Sequence, residues 1–441
     1  MNAVNTTPAI PPNGELTPSR LNTQPPTNAP TMPMMMSPIR PYPVPPITSD
    51  ASTPAIRPTM IQVSKLMPVS GPGETATRGN SRASAEAAPL GRAGLLAALS
   101  ALVLAAACSP SGTAIAAAPA PVRQAVTESD VRRLLGALSD DSLEGRMTAS
   151  RGSARAAKII AEEMRRIGLE PAGDSGYFQR VPIGLVSTRG ATRPVLFSSF
   201  AALDSLPADR RPPSVNVVGI LRGTDPVVRD SAVLIDAHYD HLGIGAPVAG
   251  DSIYNGADDD ASGVVAVLEI ARALAAGPTP RRTVIFATTT GEEVGLLGTR
   301  WYLKHPVVPI AEMSANLEIE MIGRPDSAAG GPGRGWLTGF DRSTMGEIFA
   351  KAGLPIVADH RLDQHFFERS DNIAFARLGV PAHTLSSYGM HGDYHKPSDD
   401  LAHVDIAHMT ALIRAGAAGA RLLADGPAPH WNPNGRPASP Q

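Results

Sequence analysis

The hydrophobic positions between residues 215 and 424 follow two patterns that alternate along the chain. Short, uninterrupted apolar runs such as Val233-Leu234-Ile235 and Val284-Ile285-Phe286 are typical of strands that are buried on both faces. Longer stretches with apolar residues at helical spacing separate these runs. Strands that alternate with helices predict an α/β fold, here a three-layer sandwich with a mainly parallel central sheet flanked by helices. The predicted strands are 215–221, 231–237, 282–288, 315–321 and 380–385, and the predicted helices are 128–138, 152–167, 261–276, 294–305, 343–352, 371–378 and 406–424.

The N-terminal part of the chain has a different composition. The first 60 residues contain 15 prolines and few charged residues. A segment with so much proline cannot form a packed core. We therefore predict that residues 1–91 are either a disordered extension or a stretch that is not translated.

Residues 92–108 have the pattern of a signal peptide. Arg92 precedes an apolar run of 15 residues, 93–107, which ends on small residues before Cys108. This run is shorter than the about 20 residues that a membrane-spanning helix needs. A cysteine after small residues also resembles a lipoprotein signal, in which the thiol of Cys108 is lipidated. The alternative is an ordinary signal peptide that is cleaved nearby. We expect export to the periplasm, with or without a membrane anchor at Cys108, or else secretion.

The remainder of the chain divides into three segments. Residues 109–122 are rich in Ala and Pro and predict a linker. Residues 123–427 contain the periodic patterns and predict a single globular domain. We expect residues 428–441, which are again rich in Pro and Asn, to be a disordered tail.

Composition restricts the possible chemistry. The formal net charge of -2 gives no reason to expect a nucleic-acid partner. The single cysteine excludes a cysteine-based zinc site, so a bound metal would need histidine and carboxylate ligands.

Residues of this kind follow the predicted strands. In open α/β sheets the ligand site lies at the carboxyl ends of the strands, where such side chains meet. The candidates are Asp236, His238, Asp240 and His241 after the second strand, Glu292 and Glu293 after the third, Glu318 and Glu320 at the end of the fourth, and His391 and His395 near the C-terminus.

Three consecutive carboxylates, Asp258, Asp259 and Asp260, begin the helix predicted at 261–276. Capping the helix requires only one carboxylate, and a divalent cation would account for the others. Imidazoles and carboxylates without thiolates suit a catalytic zinc ion. The number of candidate ligands fits two ions better than one, and two-metal sites of this kind serve aminopeptidases, phosphatases and nucleases.

Five segments together resemble the co-catalytic di-zinc aminopeptidases, a family that includes bacterial leucyl aminopeptidases and is related to the glutamate carboxypeptidases and the transferrin receptor. The similarity extends in order from about residue 128 to about 412. It implies a zinc-dependent exopeptidase fold over 123–427, without the extra inserted domain that some members have. The segments are His238-Tyr239-Asp240, 256–263, 291–298, 319–323 and 394–397.

The resemblance also implies a set of metal ligands. By matched position, one zinc ion is bound by His238 and Glu320, the second is bound by Glu293 and His395, and Asp259 bridges the two ions. Many members of the family have Asp at the position of Glu320. Glu318 lies on the same strand face, but the residues that follow Glu320 match the family motif.

The same resemblance assigns catalytic roles. Glu292 is the general base, Asp240 is the carboxylate that orients His238, and the hydroxyl of Tyr394 helps to hold the oxyanion. Asp399 is expected near His395. The implied reaction is hydrolysis of N-terminal residues from peptides by water that two zinc ions and Glu292 activate.

Two other functions remain open from the sequence. A carboxypeptidase, a dipeptidase or a glutaminyl-cyclase-like enzyme on the same fold would differ in the substrate pocket. A non-catalytic binding module would have lost ligands, and all five ligands and Glu292 are present. Of the remaining histidines, His383 is expected in the core and His241 is expected to be solvated, whereas His391 is either a solvated loop residue or lines the pocket.

Overall fold

The computed structural model describes residues 126–188 and 190–438, which belong to one compact unit. The predicted extension (1–91), the signal peptide with Cys108 (92–108) and the linker (109–122) lie outside the described residues. Within the described ranges, no helix has the length and apolar character needed to cross a membrane.

The helices of the described part are close to those predicted, except that α3 is not among the predicted helices and α5 is shorter than the helix predicted at 294–305. They are α1 (Glu128–Leu138), α2 (Arg151–Ile167), α3 (Phe200–Leu203), α4 (Gly263–Ala276), α5 (Leu297–Tyr302), α6 (Thr344–Lys351), α7 (Asn372–Leu378) and α8 (Ile406–Asp425).

The strands include all five that the sequence predicts, together with short ones that it does not. They are β1 (Glu170–Pro171), β2 (Phe178–Arg180), β3 (Ile183–Thr188), β4 (Ala191–Leu196), β5 (Val215–Leu221), β6 (Ala232–His238), β7 (Gly243–Val248), β8 (Asp251–Tyr254), β9 (Thr283–Thr289), β10 (Met313–Ile319), β11 (Gly335–Leu337), β12 (Ile356–Ala358) and β13 (Ala382–Ser386).

Nine of the described strands form one sheet, in the order β1-β5-β9-β6-β10-β13-β11-β12 with β2 also paired to β5. Its centre, β9-β6-β10-β13, is parallel, as predicted. The sheet is nevertheless mixed, because β5 runs antiparallel to β9 and β11 runs antiparallel to β13. The sequence could not reveal this, since β5 is largely buried like the parallel strands at the centre of the sheet and burial does not encode strand direction.

Alternate residues of the central strands face two separate cores. In β6, Val233 and Ile235 pack with α1, α2, α4 and α8, whereas Leu234 packs on the opposite face with residues of α5 and α7. This alternation follows from the two-residue period of a strand. Helices therefore cover both faces of the sheet, and the predicted three-layer sandwich is confirmed.

The predicted disordered tail is wrong for residues 428–438. Trp431 packs against the core on the α5 and α7 side and donates a hydrogen bond from Nε1 to the carbonyl oxygen of Gly379 at 2.9 Å. The backbone of Thr344 donates to the carbonyl oxygen of His430 at 2.9 Å. Burial of the indole ring stabilises this segment in spite of its proline-rich composition.

Candidate metal centre

The parallel centre of the sheet brings the predicted site residues to one edge. His238 is the last residue of β6 and pairs with Thr289, the last residue of β9. Glu292 and Glu293 lie in the segment that follows β9. Glu320 directly follows β10, which is the other neighbour of β6 in the sheet. This register places their side chains together at the carboxyl ends of the strands.

The first cluster of candidate ligands contains His238, Asp259 and Glu320, whose ligand atoms lie within 4.8 Å of one another. His238 Nε2 lies 3.4 Å from Asp259 Oδ1 and 3.9 Å from Glu320 Oε1. His238 is fully buried.

The second cluster shares Asp259 with the first and adds His241, Glu293 and His395. His395 Nε2 lies 3.1 Å from Asp259 Oδ2 and 3.3 Å from Glu293 Oε2. The two oxygens of Asp259 thus face the two clusters separately, as a bridging carboxylate would.

The residues present fit a pair of divalent cations. His238 Nε2 and His395 Nε2 are buried and have no hydrogen-bond partner, and a free imidazole nitrogen of this kind is an available metal ligand. The ligands are imidazoles and carboxylates, which suit zinc. Without cations, four acidic side chains would face one another here: Asp259, Glu292, Glu293 and Glu320.

The pKa values of the site residues also indicate that positive charge stabilises this group of carboxylates. Burial and the neighbouring Glu318 raise the pKa of Glu320 to about 8. Although burial alone would lower it, the nearby carboxylates of Asp259 and Glu293 raise the pKa of His395 to about 10. The centre therefore attracts protons when it holds no metal, and cations would compete with these protons.

The prediction that His241 is solvated is wrong. Only 1% of its surface is exposed, and Nδ1 lies 2.8 Å from Glu293 Oε1. Because an ionised carboxylate only accepts hydrogen bonds, Nδ1 must be the donor. The signal that could have identified it is its position, since it follows β6 in the same loop as His238.

Glu292 lies beside both clusters and lines the cavity next to them. Its Oε2 is 3.8 Å from His238 Nε2, and 11% of the side chain is exposed. Burial raises the pKa of Glu292 well above 4.5 despite the nearby His238. Its position between the cluster and the cavity is that required of a general base.

The carboxylate of Asp240 lies closer to the backbone amides of the loop after β9 than to the ring of His238. Its Oδ1 accepts hydrogen bonds from the amides of Gly291 and Glu292 at 2.7 and 3.1 Å, and its Oδ2 accepts from Thr148 Oγ1 at 2.7 Å. The same Oδ1 is 3.9 Å from His238 Nδ1, whereas the carbonyl oxygen of Asp240 is 3.2 Å away. Asp240 therefore fixes the position of Glu292 as well as contacting His238.

Two residues hold the segment that carries Asp259. Asp399 accepts hydrogen bonds from the amides of Asp258 and Asp259, each at 3.0 Å. The buried guanidinium of Arg146 donates to the carbonyl oxygens of Tyr239 and Gly256, each at 2.8 Å, and so links the loop after β6 to this segment. Asp399 was expected near His395, and its actual partners are the amides of the acidic triplet.

Glu318 is excluded from both clusters by its hydrogen bonds. It accepts from Ser370 Oγ and from the amides of Asp371 and Asn372, and Thr384 Oγ1 donates to it at 2.8 Å. Both of its oxygens are occupied, so Glu320 is the residue available to a metal.

Tyr394 and His391 lie on the loop that brings His395 to the site. The ring of Tyr394 stacks on that of His395 with 3.8 Å between centroids, and Tyr394 lines the cavity. His391 Nε2 lies 3.0 Å from Asp258 Oδ2 and connects this loop to the acidic triplet.

Comparisons with known proteins find similar proteins for this part of the chain. Residues 216–418 match the model of peptidase family M28, so this part of the chain resembles the M28 metallopeptidases. The matched range includes every predicted ligand and Glu292.

The relatives include larger proteins. The chain is 30% identical over 176 residues to leupeptin-inactivating enzyme 1 of Streptomyces exfoliatus, a match that covers 39% of this chain and 35% of that protein. It is 26% identical over 215 residues to the vacuolar membrane protease of Sclerotinia sclerotiorum, covering 48% of this chain and 18% of that protein. The matches therefore span about a third or less of these relatives.

A solved structure has the same fold. The zinc aminopeptidase from Bacillus subtilis superposes with a TM-score of 0.51 at 16% sequence identity, covering 68% of this chain and 96% of that chain. This similarity confirms the predicted fold class.

Proposed function

We propose that this chain is an aminopeptidase that removes N-terminal residues from peptides with two zinc ions and Glu292 as general base. The observation that carries the proposal is the pair of ligand clusters that share Asp259, with Glu292 beside them at the cavity. A shared carboxylate between two ligand sets is typical of two-metal hydrolytic sites.

The proposed ligands are those implied by the sequence, and the structure adds His241 as a residue that contacts one of them. His238 and Glu320 would hold one zinc ion, Glu293 and His395 would hold the other, and Asp259 would be shared between them. His241 donates a hydrogen bond to Glu293 and orients its carboxylate, as residues behind metal ligands commonly do.

In the proposed reaction, the zinc ions supply a Lewis acid for the scissile carbonyl and an activated water. Glu292 takes a proton from the attacking water and delivers it to the departing amine. Asp240 holds the amides of Gly291 and Glu292 and so keeps the base in position. The Tyr394 ring, stacked on His395, stands at the cavity wall where its hydroxyl can donate to the oxyanion.

The proposed metal pair favours a free N-terminus. Asp259, Glu292, Glu293 and Glu320 all line the cavity, and two bound zinc ions would balance their four negative charges. An unprotonated substrate α-amine could bind at the metal pair, whereas an acetylated N-terminus has no such free nitrogen lone pair.

We also propose that the chain is exported, as the pattern of residues 92–108 indicates, with Cys108 as a lipid attachment site. The name of the Sclerotinia relative places that protein in a membrane. In this chain the membrane attachment would be a lipid at Cys108.

The test of the enzymatic proposal combines metal analysis with peptide hydrolysis. We expect about two zinc ions per purified chain, release of N-terminal residues from unblocked peptides, and no release from N-acetylated copies of them. The Glu292→Gln variant should keep its zinc and lose about a hundredfold or more in kcat, since a general base contributes about 10² to 10⁴.

Glu312→Gln, which changes an exposed glutamate in the same way, is the matched control and should retain activity. Cleavage from the C-terminus alone would show that the chain is a carboxypeptidase and not an aminopeptidase. A purified chain that binds no zinc would refute the catalytic assignment.

A further inference from the structure

The cavity beside the metal centre has an aromatic wall and one cationic side chain. Trp336, Phe366, Tyr388 and Tyr394 form the wall, and Arg369 lines the same cavity as Glu292 and Glu320. The rings of Trp336 and Phe366 stack with 5.1 Å between their centroids, and Phe366 meets the edge of Tyr388 at 5.9 Å. A wall of this kind accommodates the apolar part of a substrate side chain.

Arg369 differs from the other arginines near this wall in having no acidic partner. In the described part of the chain, no carboxylate oxygen lies within 4.0 Å of its guanidinium, whose carbon atom is 5.1 Å from the centroid of the Phe366 ring. Arg361, in contrast, forms two hydrogen bonds with Asp326. Arg369 is half-buried, so its charge is only partly compensated by water.

This arrangement leaves the hydrogen-bonding edge of Arg369 available. An arginine that stacks on an aromatic ring uses the flat face of the guanidinium, while its N–H groups remain free in the plane. The planar fork of N–H groups matches a carboxylate in bidentate geometry. The acidic side chains of the cavity belong to the proposed metal centre, so a carboxylate at Arg369 must come with the substrate.

We propose that Arg369 is a specificity-determining residue that binds a carboxylate of the substrate, and that the enzyme prefers peptides that carry one within reach of the metal centre. The proposal rests on the proposed peptidase function and adds the class of substrate. The carboxylate can come from the side chain of an N-terminal Glu or Asp, with its methylene groups against Phe366 and Trp336. It can also be the C-terminal carboxylate of a dipeptide.

The test uses two matched pairs of substrates on the zinc-loaded protein. One pair is a peptide with N-terminal Glu and the same peptide with N-terminal Gln. The other is an unblocked dipeptide and its C-terminal amide. We expect the carboxylate member of one pair to have at least about a tenfold higher kcat/KM, because hydrogen bonds to charged groups contribute about 1.5 to 3 kcal/mol. The pair that shows the preference identifies the source of the carboxylate.

Variants of Arg369 then assign the preference to this residue. In Arg369→Met the ratio within the responsive pair should fall to about one, mainly through KM, and Arg369→Lys should restore part of it. Arg132→Met removes the same charge from the exposed face of α1 and should leave the ratio unchanged. Thermal unfolding of each variant checks that the fold is intact.

Binding measurements separate this proposal from the enzymatic one. Calorimetric binding of glutamate against glutamine, and of the dipeptide against its amide, requires no turnover. A preference in binding without hydrolysis would leave the role of Arg369 in place and refute the peptidase function. Hydrolysis without a preference in either pair, or an equal rise of KM for all four substrates in Arg369→Met, would overturn the role of Arg369.

Discussion

Glu318 and Glu320 are separated by one residue, yet only Glu320 is free to bind a metal. Glu318 is saturated by hydrogen bonds from a hydroxyl and two amides around Ser370 and from Thr384, whereas 23% of the Glu320 side chain is exposed in the cavity. The motif that follows Glu320 predicts the same choice of residue. The reason lies in the surroundings, because a buried carboxylate that already accepts several hydrogen bonds has little capacity left for a cation.

His241 is the residue whose role the sequence missed. A histidine in a loop is commonly solvated, and only its position shortly after β6 distinguishes His241 from such a residue. His241 contacts Glu293 because β6 and β9 are neighbours in the sheet, which brings the loop after β6 next to the segment after β9. This contact between distant parts of the chain allows His241 to orient the carboxylate of Glu293.

We predict that His241→Leu weakens zinc binding. Loss of the hydrogen bond to Glu293 frees this carboxylate to rotate, and such changes behind metal ligands typically cost about 10-fold to 100-fold in metal affinity. Dialysis against a graded zinc buffer, followed by metal analysis, should show one of the two ions lost at a higher free zinc concentration than in the wild type. His403→Leu, an exposed histidine paired with Asp400, is the control. Equal zinc retention in both variants would show that His241 has no orienting role.

At the scale of elements, His383 connects β13 to two neighbouring parts of the chain. Its Nδ1 donates to the carbonyl oxygen of Thr338 at 2.7 Å, and its Nε2 accepts from Ser343 Oγ at 2.6 Å. Thr338 follows β11, and Ser343 is the N-cap of α6. The prediction of a core histidine is confirmed. Both contacts need the neutral ring, and burial lowers the pKa of His383 to about 4.

This contact makes the stability of the fold dependent on pH. An unfolded histidine has a pKa of about 6.5, so between pH 6.5 and pH 4 the unfolded chain binds a proton that the folded chain does not. The free energy of unfolding should therefore fall as the pH decreases through this range. The expected contribution of His383 between pH 7 and pH 5 is about 2 kcal/mol.

Denaturant unfolding at pH 7 and pH 5 of the wild type and of His383→Gln would measure this contribution. The variant should be less stable at pH 7 and should lose less stability on acidification. An identical loss in the two proteins would show that the proton is taken up elsewhere.

At the scale of the whole molecule, the location of the enzyme depends on a segment that lies outside the described residues. The proposal of export with lipidation predicts that the chain incorporates labelled fatty acid and sediments with membranes. Cys108→Ser should remove the label and release the protein from the membrane fraction, because the proposed attachment is the fatty acid on this thiol.

A chain that is secreted without the label would support the ordinary signal peptide. A chain that remains in the cytosol with residues 92–108 uncleaved would contradict export altogether.

The amino-acid sequence by itself determined the alternation of strands and helices, the residues at the carboxyl ends of the central strands, and the residues that we propose as metal ligands and general base. These features can be predicted from the sequence because hydrophobic periodicity and motif spacing are local properties of the chain.

Only the tertiary structure decided the antiparallel flanks of the sheet, the packing of Trp431, the burial of His241 and the partners of Asp240 and Asp399. Each of these depends on contacts between residues that are distant in sequence. The unpaired charge of Arg369 beside the aromatic wall belongs to the same group, since which side chains surround a residue is set by packing and not by its neighbours along the chain.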